Sequence, residues 1–142
     1  MNDSGAQVGL WTQSGTEYVN QSGIVMNVNN DWSFVRANRS GFVPARALDD
    51  DTPVRWDNPQ CAGDWFLLRS QTKFVQIGVV VSESNVPVIY VPGDAINPPP
   101  AGMWKRSSIF GGCSQYLPSP DEVLAAPVRY APPFVAPFKL VR

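Results

Sequence analysis

The chain has no histidine among its 142 residues. Histidine is the commonest general base and metal ligand near neutral pH, and the base of Ser-His and Cys-His nucleophile pairs. Catalysis built on those groups is therefore excluded. Cysteine is scarce too: Gln60-Cys61-Ala62 and Gly112-Cys113-Ser114 hold the two present, with no C-x-x-C spacing for zinc or redox work. No G-x-G-x-x-G or Walker loop occurs, and Gly111-Gly112 is an isolated turn signal. Carboxylates could still pair in a glycosidase-like site, with Asp57, Asp64 and Asp94 as candidates, but surface or turn positions explain these three better. The residues call for no cofactor and no metal, and the expectation is a non-enzyme.

Charge is also sparse, at 16% of residues with a net charge of −1. Arg55, Arg69, Lys73, Lys105 and Arg106 are scattered, so no stretch can neutralise a run of phosphates and nucleic acid is a poor primary partner. The longest apolar stretch, around Val79-Val80-Val81, is far short of a membrane span. Met1 to Gly5 has neither a basic start nor an apolar core, so no secretory signal is expected. Asn2-Asp3-Ser4, Asn20-Gln21-Ser22 and Asn38-Arg39-Ser40 match the glycosylation triplet and, without a secretory route, read as chance. Cys61 and Cys113, far apart in the chain, could pair only if the fold brings them together, and two separate buried thiols are favoured over a disulfide.

Proline and aromatic residues are plentiful: 14 prolines, 11 glycines, 5 tryptophans and 7 phenylalanines. Proline fixes φ and removes a donor, so this density rules out long helices and suits short strands, turns and extended arms. With 44% hydrophobic residues the chain can bury a core. The class expected is all-β.

Residues 7–48 read as short strands between turn clusters. Gln7 to Trp11 and Ile24 to Val28 are strand candidates, Asn29-Asn30-Asp31 is a turn, Trp32 to Ala37 alternates, and Asn38-Arg39-Ser40-Gly41 turns again before Phe42-Val43-Pro44. The segment from Asn30 to Leu48 resembles the second half of an SH3 domain or bacterial SH3-like module. A tryptophan opens a strand, a short turn follows, and a Gly-aromatic-aliphatic-Pro step leads to a closing aliphatic. The resemblance covers about 40 residues. It implies a small barrel over residues 1–50, with Trp32 and Pro44 on the positions that line the family's peptide groove. Ala47 stands where a groove tyrosine is usual, and the family's acidic loop is represented by Glu17 alone. Capping of a small barrel core explains Trp32, Phe42 and Pro44 better than a peptide groove does.

Asp49-Asp50-Asp51-Thr52-Pro53 reads as a solvated linker, since three adjacent aspartates do not reproduce an alternating calcium loop. Residues 51–102 are expected to form a β region, possibly packed on the first, with a hairpin over 74–91 and Pro87 near a strand start. Asn97-Pro98-Pro99-Pro100-Ala101-Gly102 favours an extended segment. Residues 103–142 read as a proline-rich arm with one short helix near 119–126. There Ser119 can cap, Pro120 suits the first turn, and Pro127 stops the helix. From 128 onward the arm is apolar and broken by prolines, and it would expose Tyr130, Phe134, Val135, Phe138 and Leu140 unless it lies on a surface.

These features imply an SH3-like barrel or β-sandwich with an extended C-terminal arm. The expected role is structural: an oligomeric component of a larger assembly, with a virion or phage particle the economical example and its protein subunits as partners. Residence in a virion or the cytoplasm is expected. An SH3-type peptide-binding adaptor and a carbohydrate-binding module are the alternatives.

Overall fold

The computed structural model describes residues 10–14, 21–28, 30–49, 51–107, 109 and 111–132. Twelve strands and no helix occur among them. A first sheet holds β1 (Leu10–Ser14), β2 (Gln21–Val28), β3 (Asp31–Asn38) and β4 (Gly41–Phe42) in that order. The turn clusters lie where the sequence puts them. Asn30 and Gly41 take positive φ, and the Asn27 and Asn38 side chains each accept a hydrogen bond from a backbone N–H within the turn that follows.

A second sheet runs β5 (Val54–Arg55), β6 (Phe66–Ser70), β12 (Glu122–Tyr130), β9 (Val86–Ala95) and β8 (Val79–Glu83), all antiparallel. β8 and β9 form the expected hairpin, narrower than 74–91, about the two-residue turn Ser84-Asn85, both at positive φ. The preceding residues instead form β7 (Val75–Ile77), which pairs in parallel with β3. Gly78 is the corner at which the chain crosses from one sheet to the other. A Cβ there would stand 3.0 Å from the Tyr90 carbonyl oxygen and 3.0 Å from a Val35 methyl, so this position favours glycine.

The main core lies between the sheets. Ile24, Met26, Val28, Val35, Ala37 and Phe42 of the first meet Val80, Ile89 and Val91 of the second, with Val128 and Tyr130 packed against them. Val79 belongs to a second cluster with Val54, Trp56, Cys61 and Leu67, against which Val81 and Tyr90 pack. The second sheet is thus covered on both faces. That explains why its β8–β9 residues read as a near-continuous apolar run rather than a clean alternation.

The cover is a hairpin of β10 (Met103–Arg106) and β11 (Cys113–Tyr116), tied to the end of β5 by reciprocal backbone bonds between Trp56 and Trp104 of 2.8 and 2.9 Å. That junction brings the loop after Trp56 beside the hairpin, and Cys61 and Cys113 form a disulfide. This corrects the expectation of two separate thiols: linear spacing of 52 residues carries no information about a contact made by strand pairing.

The helix near 119–126 is also corrected. Its cap signals are real but local: the Ser119 N–H donates to the Glu122 carboxylate at 2.8 Å and the Glu122 N–H to the Ser119 carbonyl at 3.0 Å, closing a single turn. Beyond it the chain is a central strand, with Leu124 opposite Leu68 and Val128 opposite Val91. A two-turn helix is marginal in isolation, and two flanking strands offer far more burial and pairing. The expected arm from 128 accordingly starts as strand, and Tyr130 packs on the core rather than lying free. The sheets do not close into a barrel.

Candidate functional site

On the side of β3 away from β2, two segments share the strand edge. β7 pairs with Trp32 to Phe34, and β4 pairs with Ala37 and Asn38. Both then leave toward the second sheet. Val43 donates to the Arg36 carbonyl at 3.0 Å before Ala45 donates to the Val80 carbonyl at 2.8 Å, and Gly78 donates to the Phe34 carbonyl at 2.9 Å before β8 begins. The two departing segments form a fork, and a groove of about 300 Å³ lies in it.

Phe34, Ile77 and Val79 supply apolar lining. Arg36 and Arg46, both exposed, bring guanidinium donors, and Asp49 and Asp51 bring carboxylates. The Asp49 side chain accepts from the Asp51 N–H at 3.0 Å, and its carbonyl accepts from the Thr52 N–H and hydroxyl, so the acidic stretch is a built turn that walls the groove. Such a site suits an extended segment with an apolar side chain and unpaired backbone carbonyls. It joins no set of groups arranged for proton transfer.

Of the residues singled out in the sequence, Pro44 lines this groove and is exposed. Trp32 is not among its lining; it sits opposite Asn27 and Val75, half-buried, with its ring 6.5 Å from that of Phe74. Tyr130 ends β12 opposite Ile89. Phe134, Val135, Phe138 and Leu140 lie outside the described residues. Asp57, Asp64 and Asp94 are all exposed. The sequence reading missed Arg36, Arg46 and the role of Asp49 and Asp51, since the groove is assembled from three separated stretches, 34–36, 43–53 and 77–80.

Two polar clusters lie elsewhere. Glu83 accepts hydrogen bonds from Arg129 and from the Tyr90 hydroxyl; these hold its carboxyl below the usual range, and the bond to Glu83 raises Tyr90. Ser70 and Thr72 donate to Asp121 at 2.9 and 3.0 Å and lower its carboxyl. Among the described residues no group of His, Cys, Asp or Glu is placed to hold a metal ion, and no helix is long and apolar enough to cross a membrane. Comparisons with protein-family models, with curated proteins and with solved structures find no match to this chain.

Proposed function

We propose that this protein is a non-enzymatic structural component of a larger assembly, such as a virion or phage particle, and that it makes subunit contacts through its C-terminal segment. One observation carries the reading. β12 runs through the middle of the second sheet, flanked by β6 and β9, and delivers the chain at Pro132 to a tail rich in proline and apolar residues. A contact made by that tail is anchored in a strand paired on both edges, so load on it passes directly to the core. The disulfide adds a place of work: such bonds persist where the surroundings are oxidising, as on a particle outside a reducing cytoplasm.

The test is a chain ended after Pro132. It is expected to keep the melting behaviour of the full chain and to lose self-association and incorporation into its assembly. Normal incorporation of the shortened chain would overturn the reading. A peptide-binding adaptor with an SH3-like N-terminal unit is the second reading, favoured by the position of Pro44 on the groove. Trp32→Ala protein that is folded yet binds its partners unchanged would rule out the tryptophan's part in it.

A further inference from the structure

The Cys61–Cys113 disulfide joins two parts of the molecule that are held in different ways. Cys61 lies in a loop that closes its own hydrogen bonds. The Asn58 side chain accepts from the Gln60 and Ala62 N–H groups, each at 3.2 Å, and donates to the Ala62 carbonyl at 2.8 Å. The Cys61 N–H donates to the Asn58 carbonyl at 3.2 Å. None of these bonds needs the sulfur bridge. Cys113 lies opposite Arg106, in the β10–β11 pair nearest the turn. The two strands form a sheet of their own, and such a hairpin is marginal where nothing else holds it.

The hairpin is anchored at the end away from its turn. Met103 is buried with Leu68 and Leu124, Trp104 exchanges backbone bonds with Trp56, and the Tyr116 hydroxyl donates to Glu122. Toward the turn, Arg106 donates to the Cys61 carbonyl at 2.8 Å, and its guanidinium carbon lies 4.7 Å from the centre of the Trp56 ring. Trp56, 2% exposed, is therefore covered in part by the residue paired with Cys113.

Access to the two cysteines is unequal. Cys61 is fully buried, whereas Cys113 is partly exposed. An incoming thiolate therefore reaches the Cys113 sulfur, and the Cys61 sulfur is the leaving group. Arg106, fixed on the Cys61 carbonyl, sets a cation beside the residue that takes the charge, which favours departure as a thiolate.

We propose that this disulfide is a redox latch: a dithiol reductant opens it, the turn end of the hairpin comes away, and the Trp56 face is uncovered. The first thiolate of the reductant bonds to Cys113 Sγ as the bond to Cys61 breaks. Its second thiolate then displaces Cys113. Two electrons pass to the protein, the reductant leaves as a disulfide, and its two protons end on Cys61 and Cys113. The Asn58 loop keeps Cys61 in place, so oxidation closes the latch again. The inference is independent of the role proposed for the tail.

Amide exchange of the full chain, oxidised and after dithiothreitol, tests it. Lys105 to Ser107 and Gly111 to Ser114 should exchange about tenfold faster once reduced, with β9 and β12 unchanged. Quenching of tryptophan fluorescence by acrylamide should rise on reduction and return to its starting value with oxidised glutathione. Trp56→Phe should remove that rise. Cys61→Ser with Cys113→Ser should match the reduced chain without any reductant, and reduction of the unmodified chain carries the test if this variant does not fold. Brief exposure to glutathione followed by acid trapping should place the mixed disulfide on Cys113. Equal acceleration in β9 and β12 would show a staple for the whole fold and overturn the latch, as would no acceleration at all. Glutathione trapped on Cys61 would overturn the direction of attack assigned here.

Discussion

The guanidinium carbon of Arg55 lies 4.3 Å from the centre of the Tyr116 ring. Arg55 is buried, donates at 2.8 Å to the carbonyls of both Thr52 and Val54, and has no partner for its Nε among the described residues. The aromatic face therefore supplies favourable electrostatics for a cation held mainly by backbone carbonyls. Burial, and then the hydrogen bond from the Tyr116 hydroxyl to Glu122 at 2.9 Å, push the Tyr116 pKa up to about 12 from 10.0. Because the folded value exceeds the unfolded one, this contribution is complete below pH 10 and is lost as the pH rises toward 12. Urea midpoints measured across that window should fall in the unmodified protein and fall less in Tyr116→Phe. Identical slopes would refute the assignment.

The acid limb has the opposite sign. Glu83, through Arg129 and Tyr90, and Asp121, through Ser70 and Thr72, are held below their ordinary values of 4.5 and 3.8. Their stabilisation is present above those values and disappears as the pH drops through the lowered folded ones. Both carboxylates are only partly covered, so the effect is small and weakens with salt. Glu83→Gln should flatten part of the decline between pH 5 and 3 in thermal melts, approximately, and 1 M salt should reduce the difference.

Cys61 and Cys113 join the loop after β5 to the hairpin that covers the second sheet, and Arg106 reinforces the junction by donating to the Cys61 carbonyl at 2.8 Å. Closing a loop across 52 positions is worth about 4 kcal/mol by chain entropy. Cys61→Ala with Cys113→Ala, or reduction of the unmodified chain, should lower the urea midpoint accordingly. The protected amides of β10 and β11 should be the first to exchange. A midpoint unchanged by reductant would contradict the bond.

Gly23 faces Arg36 across the β2–β3 pair and lies beneath the Phe34 ring. A Cβ there would be 2.3 Å from the Val35 carbonyl oxygen and 2.7 Å from the ring, and the backbone atom cannot swing aside. Gly23→Ala should cost about 3 kcal/mol, at the upper end of overpacking effects. Gly112→Ala, where a Cβ meets nothing within 4 Å, should change stability by less than about 0.5 kcal/mol. Equal effects at the two positions would show that the β2–β3 spacing is wrong.

What could be read from the sequence follows the range of the interactions. Residues 24–42 were legible because alternation and turn residues act within a hairpin: Val35 and Ala37 face the core while Arg36 is exposed, and Asn30 and Gly41 take the positive φ their types permit. Residues 79–91 were legible as strand because two covered faces select β-branched residues throughout. Residues 119–130 were not. The local signals around Ser119 specify a turn, whereas the strand that follows is selected by Leu67 to Ser70 and Ile89 to Ala95, tens of positions away. The groove was legible only at Pro44, since its guanidiniums and carboxylates converge through a corner at Gly78 that no spacing rule encodes.

The point at which the strand gives way to the tail can be found by truncation. A chain ended after Ala126 lacks Pro127 to Tyr130, which pair with Ile89 to Pro92, and lacks the Val128 and Tyr130 side chains that close the inter-sheet core. Removing four residues from a central strand uncovers Ile89 and Val91, which are 0% and 2% exposed in the intact fold. Burial of each such side chain is worth about 1.5–3 kcal/mol, so the combined loss approaches the whole stability of a domain this size. The shortened chain should be unfolded or aggregated, with no cooperative melt. A chain ended after Pro132 retains every one of those contacts and should melt within a few degrees of the full protein, which separates the structural part of this segment from the part offered to a partner. Val128→Asp in the full chain should mimic the shorter truncation, because it places a charge against the same core. If instead the chain ended after Ala126 folds cooperatively, then Pro127 to Tyr130 belong with the tail and the paired part of β12 ends at Ala126.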